Sequence, residues 1–142
     1  FAPRVSLPDH LARHRLADLF LDTVPYNAPT SASDALWAGL PVVTCAGRSF
    51  ASRVAGSLLH AVGLPELVTT SLADYEALAL RLAHDPAQLR SLRERLAQDR
   101  LSLPLFDSDR FRRNIEAAYR TMVARHARGE PPRGFDVEPP RH

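Results

Sequence analysis

Lysine is absent: all eighteen basic residues of this 142-residue chain are arginine. That removes Schiff-base lysine chemistry and the lysine of a phosphate-binding P-loop from this polypeptide. Cysteine is reduced to Cys45, which excludes an internal disulfide framework and a cysteine-rich zinc site. No apolar run approaches the roughly 18 residues a membrane-spanning helix needs. No N-terminal stretch has the layout of a signal peptide. Aromatic residues make up only 7%. Charge of one sign is also lacking, because eighteen arginines face sixteen acids for a net +2. The two signs interleave, so neither a nucleic-acid surface nor a membrane partner is expected. What remains, 45% hydrophobic and 24% charged residues, is the composition of a globular domain with a sizeable core. There is no internal repeat. Phe1-Ala2-Pro3-Arg4 carries no initiator Met, and the chain is expected to be cut from inside a longer protein.

Along the chain, Ser6-Leu7-Pro8-Asp9 is a helix-start signal, with Ser6 as cap and Asp9 at the capping-box position. A short helix to about Leu16 follows. Residues 19–24 (LFLDTV) predict a buried strand, and 25–29 predict a turn-rich loop. Thr30 or Ser31 is the expected cap of a second helix that stops at Gly39. The pattern then repeats. Residues 41–45 predict a β-branched strand, Ser49 or Phe50 a helix start, and Val54, Leu58 and Val62 helical spacing up to Gly63. Residues 67–70 predict a third strand. Strands separated by helices of this length imply crossover connections, a parallel sheet and an α/β fold.

Beyond Thr70 the pattern is wholly helical. Leu72, Tyr75, Leu78 and Leu82 share one face, Leu89, Leu92 and Leu96 another, and Phe111, Ile115, Tyr119 and Met122 mark a long final helix. Pro104 separates the last two helices. From Gly129 the chain becomes a polar, proline-rich tail, expected to be extended or disordered. The expected division is therefore a folded body over 1–128 and a tail over 129–142.

The stretch from Asp22 to Cys45 holds the candidate chemistry. Open parallel sheets bind ligands beyond the carboxyl ends of their strands. A helix that starts there aims free amides and a positive dipole end at that crevice, which suits phosphate. Thr30 and Ser31 add hydroxyl donors, and Asp34, one turn on, can accept from a sugar diol. The same residues also suit plain capping and dipole compensation, and the residues alone leave both readings open.

The segment DTVPYNAPTSASDALWAGLPVVT, followed by AGRSFASRVAGSLLHAVGLPELV, closely resembles the C-terminal catalytic region of the O-GlcNAc transferase family. That family includes the plant SPINDLY proteins and many bacterial members, and the similarity runs from about Phe1 to Ala127. The resemblance implies a GT-B glycosyltransferase: two Rossmann-like lobes facing across a cleft, with this chain forming the later part of the UDP-binding lobe. The implied reaction is inverting transfer of N-acetylglucosamine from UDP-GlcNAc to Ser or Thr hydroxyls of a protein, in the cytoplasm of a bacterium.

By the same resemblance Thr30 and Ser31 match hydroxyl residues on the diphosphate, Asp34 the acid on the ribose, His10 a histidine against uracil, and Arg13 a basic residue beside the base. No residue of this chain is implied to be catalytic, and no cofactor or metal is expected. The other lobe, a phosphate-binding lysine and, in many relatives, tetratricopeptide repeats would lie elsewhere, so the isolated chain is expected to transfer no sugar. Pro29 stands where the family commonly has His, deleting a side-chain donor and a backbone N–H. Leu7 stands where some members have a ribose-contacting Lys. The alternatives are a UDP-glucose-dependent protein glucosyltransferase and a non-catalytic Rossmann-like binding module.

Other features carry less. His10 and His14 stand at i, i+4 but lack a third metal ligand in the pattern. His60, His84, His126 and His142 are scattered. Arg48 and Arg53 follow the second strand and can reach phosphate or a carboxylate. Cys45 is expected to pack inertly, and Trp37 to anchor its helix to the sheet.

Overall fold

A computed structural model describes residues 3–98 and 100–137. Phe1, Ala2 and the end of the proline-rich tail, His142 included, lie outside the described residues. Three parallel strands form one sheet in the order β1 (Phe20–Leu21), β2 (Val42–Cys45), β3 (Val68–Thr69). Phe20 and Leu21 pair with Val42 and Val43, and Thr44 and Cys45 pair with Val68 and Thr69. All four residues of β2 are buried, as the central strand of a covered parallel sheet requires. The strands are shorter than the apolar runs that predict them. In β1 the ladder ends at Asp22, whose N–H still donates to the Val43 carbonyl at 3.0 Å before the chain turns away.

The helices are α1 (Leu7–Arg13), α2 (Pro29–Trp37), α3 (Val54–Ala61), α4 (Leu72–Ala83), α5 (Pro86–Ala97) and α6 (Ser108–Ala127). The Ser6 cap is present, with its hydroxyl oxygen accepting from the Asp9 N–H at 3.4 Å. A 3-10 turn over His14–Leu16 carries α1 to the expected end. Gly39 follows α2 at φ +83, a left-handed turn that only glycine takes without strain.

The expected helix start at Ser49 or Phe50 is corrected: α3 begins at Val54. Residues 49–53 form turns instead. The Ser49 hydroxyl oxygen accepts from the Ser52 N–H at 3.2 Å, and the Ser52 hydroxyl donates to the Ser49 carbonyl at 3.0 Å. Side-chain bonds of this kind compete with helix. Gly47 is needed by the same turn, since a Cβ there would sit 2.6 Å from Ser52 Oγ.

The chain folds as two compact units, Phe1–Leu103 and Pro104–His142. The core of the first contains Leu36 of α2, Leu59 of α3, Leu82 of α4 and Leu96 of α5, with Val42 and Val43 of β2. α4 packs on β2 and β3, and α5 packs on α4. Leu78, Leu82, Leu89, Leu92 and Leu96 point inward as their spacing predicts, whereas Leu72, the first residue of α4, is 63% exposed.

The second unit is built on α6, which is capped by Asp107 through the Arg110 N–H at 2.9 Å. None of its residues is buried. Glu116 pairs with Arg112 and Arg120 along its surface. Residues 130–137 form neither helix nor strand. They are held near the end of α6 by Glu130, which meets Arg125 and Arg128, and by Phe135 under the Arg125 guanidinium at 5.0 Å. Among the described residues no helix is long and apolar enough to cross a membrane.

Candidate functional site

β1 leads through residues 22–28 into α2, so the N-terminus of α2 lies at the carboxyl edge of the sheet. The expected cap at Thr30 or Ser31 is corrected here. Pro29 is the first helical residue, and the N-cap is Ala28, which offers no side-chain hydrogen bond. α1, α4, α5 and α6 are each capped by a Ser or Asp side chain. In α2 the amides of Thr30 and Ser31 have neither an intrahelical carbonyl nor a cap, and both residues are exposed. Two hydroxyls and two amides are thereby turned outward at the positive end of the helix dipole.

Asp34 lies on the same helix face as Thr30 and Ser31, at i+4 and i+3. α1 packs against α2 and brings His10 to it, with Nε2 lying 3.4 Å from Asp34 Oδ2. Two residues that the family resemblance assigned to base and ribose, 24 positions apart in sequence, therefore meet. Arg13 is on α1 one turn beyond His10 and donates from Nη2 to the Pro3 carbonyl at 3.2 Å. His10 and Arg13 line a groove of about 340 Å³ with Pro3, Arg4, Val5 and Leu7.

The His10 and His14 rings meet edge to face at 4.8 Å, and His14 Nδ1 faces the His10 carbonyl at 2.9 Å. Among the described residues no cluster of His, Cys, Asp or Glu is arranged to hold a metal. Trp37 faces the Arg100 guanidinium at 5.4 Å and lines a second small cleft with Pro8, Leu11 and Arg15. Cys45 is buried at the end of β2. Arg53 donates to the Ser49 carbonyl at 3.3 Å, and Arg48 is exposed.

Sequence reasoning missed the residues that shape the loop before α2. Asp22 is 4% exposed. Its Oδ1 accepts from the N–H groups of Thr23 at 2.9 Å and Ala28 at 2.8 Å, and its Oδ2 accepts from the Thr44 hydroxyl at 2.6 Å. The Tyr75 hydroxyl of α4 donates to the Asp22 carbonyl at 3.0 Å. Thr69 Oγ1 donates to the Thr44 carbonyl at 3.0 Å, so one hydrogen-bond chain crosses all three strands. Asn27 is fully buried. It donates from its backbone N–H to Ala51 and from Nδ2 to Thr23. The available signal was an acid closing an otherwise apolar strand, Leu19-Phe20-Leu21-Asp22.

Burial, then the charges of Asp22 and Cys45, push the Tyr75 hydroxyl above its ordinary 10.0. The folded chain thus keeps this proton when the unfolded chain has lost it. The resulting stability is complete below pH 10.0 and is lost as pH rises through the raised value. Tyr75→Phe is expected to flatten the alkaline limb of a denaturation-versus-pH profile and to cost about 1 kcal/mol at neutral pH. An unchanged alkaline limb would show that another group sets it.

Comparison with known proteins gives a consistent answer. The family model described as glycosyl transferase family 41 matches residues 1–115. A probable UDP-N-acetylglucosamine–peptide N-acetylglucosaminyltransferase, SEC, of Arabidopsis thaliana is 41% identical over 91% of this chain and 13% of its own length. The Caenorhabditis elegans UDP-N-acetylglucosamine–peptide N-acetylglucosaminyltransferase is 39% identical over 92% of this chain and 11% of its own. The solved structure of a mutant of the Thermobaculum terrenum O-GlcNAc transferase superimposes with a TM-score of 0.77 at 40% identity. It covers 85% of this chain and 23% of that one. The chain thus spans about an eighth of the length of the first curated relatives it matches.

Proposed function

From a chain that belongs to glycosyl transferase family 41, we propose one wall of a donor site, the part that grips UDP in a cytoplasmic protein O-GlcNAc transferase. The whole enzyme moves N-acetylglucosamine from UDP-GlcNAc to Ser or Thr hydroxyls of an acceptor protein, with inversion. The observation that carries the reading is the uncapped start of α2, with its exposed Thr30 and Ser31 one turn from the paired His10 and Asp34.

In this reading the Thr30 and Ser31 amides and hydroxyls donate to the diphosphate. Asp34 turns from His10 to the ribose diol, His10 packs against uracil, and Arg13 stands beside the base. As the glycosidic bond breaks, negative charge gathers on the leaving diphosphate. Fixed amides at a helix N-terminus stabilise that charge more in the transition state than in the ground state. With this work done by amides and basic groups, the reaction calls for no metal. Pro29 contributes no N–H, so the first-turn amides used are those of residues 30 and 31. The remaining catalytic groups belong to the rest of the enzyme, including the facing lobe and any tetratricopeptide repeats. Their absence is why the chain alone is expected to transfer no sugar. The name of the Caenorhabditis relative supports the same donor and acceptor classes.

Calorimetric titration of the full-length enzyme with UDP and with uridine tests the assignment. Ser31→Ala is expected to weaken UDP by about tenfold, the loss of one hydrogen bond to a charged group, and to leave uridine nearly unchanged. His10→Ala is expected to weaken both alike, since its partner is the base. The opposite pattern would show the two roles to be misassigned, and no nucleotide binding at all would favour a non-catalytic module. Donor competition between UDP-GlcNAc and UDP-glucose identifies the sugar.

A further inference from the structure

We infer that Asp22 is a positioning residue for donor binding: it fixes the first turn of α2 against the sheet and leaves that turn's amides free for the diphosphate. The inference rests on the diphosphate reading of α2. Asp22 is buried, and none of the ion pairs among the described residues involves it. Each hydrogen bond to its carboxylate fixes the 22–28 loop, binding the Thr23 and Ala28 amides through Oδ1 and Thr44 of β2 through Oδ2. Tyr75 clamps its carbonyl from α4. Three donors satisfy the buried carboxylate, and the loop it fixes gives it a use in binding.

That use follows from which amide it holds. A side-chain cap at position 28 would fold over the amides of residues 30 and 31, the groups a phosphate needs. Ala28 has no such side chain. Asp22 reaches from the end of β1 to the Ala28 N–H, one step before the helix, and so sets where the helix starts without covering its first turn. Thr44 ties that carboxylate to the central strand. The Thr30 and Ser31 donors are then held at a fixed place relative to the sheet, and preorganised donors bind more tightly than mobile ones. Asp22 itself touches no substrate.

The test uses the full-length enzyme and three variants, titrated with UDP and uridine and checked by thermal melting. Asp22→Ala is expected to weaken UDP by about tenfold or more while uridine changes by less than about threefold. Asp22→Asn keeps an oxygen for both amides, so its UDP affinity should stay within about threefold of the native value. Thr44→Val loosens the clamp without removing it and is expected to cost UDP alone about threefold. If Asp22→Ala does not fold, the Thr44→Val and Asp22→Asn arms decide. Asp22 is not a positioning residue if Asp22→Ala and Thr44→Val leave the ratio of UDP to uridine affinity unchanged, or if the asparagine variant loses UDP affinity as the alanine variant does. Native enzyme that binds uridine as tightly as UDP would refute the diphosphate reading itself, before any substitution is compared.

Discussion

Asp34→Ala in the full-length enzyme is expected to weaken UDP binding by about 1.5 to 3 kcal/mol, roughly 10- to 150-fold. In the proposed reading the carboxylate accepts from both hydroxyls of a ribose diol, and such charged hydrogen bonds are the strong kind. The structure also defines the competing explanation. Asp34 now faces His10 at 3.4 Å, with side chains 26% and 38% exposed, so it helps join α1 to α2. A half-exposed pair of this type contributes about 0 to 1 kcal/mol to stability. A purely structural Asp34 would therefore lower the melting temperature slightly and leave UDP affinity intact. Titration of folded mutant protein separates the two, and unchanged affinity removes Asp34 from the site. Comparison with 2′-deoxy-UDP sharpens the result, because the alanine variant should no longer distinguish it from UDP.

Leu36→Ala is expected to destabilise the chain by about 2 to 5 kcal/mol. Leu36 is fully buried with Ala32 and Ala35 on the inward face of α2. Small neighbours on the same helix let it approach the core closely, and alanine would leave a void that a close-packed interior closes only in part. A fall in melting temperature of about 10 °C is the expected readout for a chain of this size. UDP affinity of the fraction that remains folded should change far less, because Leu36 faces away from the amides of residues 30 and 31. A loss below about 1 kcal/mol would mean that the core around α2 collapses to fill the gap.

The two substitutions lie two residues apart on one helix, and their opposite consequences follow from its two faces. Ala32, Ala35 and Leu36 are turned inward, while Thr30 and Ser31 are exposed and Asp34 is half-buried.

Much of this architecture was legible in the residues themselves. Strand and helix alternate where β-branched runs give way to helical spacing, so a parallel three-stranded sheet was readable without coordinates. Ser6, Gly39 and Gly63 marked helix ends, because caps and left-handed turns depend on one or two adjacent residues. Leu89, Leu92 and Leu96 declared the inward face of α5 through spacing alone. Thr30, Ser31 and Asp34 were legible as a group for the same reason, being neighbours on one helix. Their binding roles came from family resemblance and are what the titrations test.

The tertiary structure decided what joins distant positions. Thr30 and Ser31 looked like caps, yet the helix starts at Pro29 and its loop is held by Asp22, six residues before Ala28 and 22 before Thr44. The start of α3 moved to Val54 because Ser49 and Ser52 bond to each other in a turn that also needs Gly47. His10 met Asp34 only because α1 packs on α2. Local propensity and periodicity record what a residue prefers among its near neighbours. A buried carboxylate satisfied by two amides and a hydroxyl from another strand is a long-range arrangement, and it exists only once the sheet has brought those strands together.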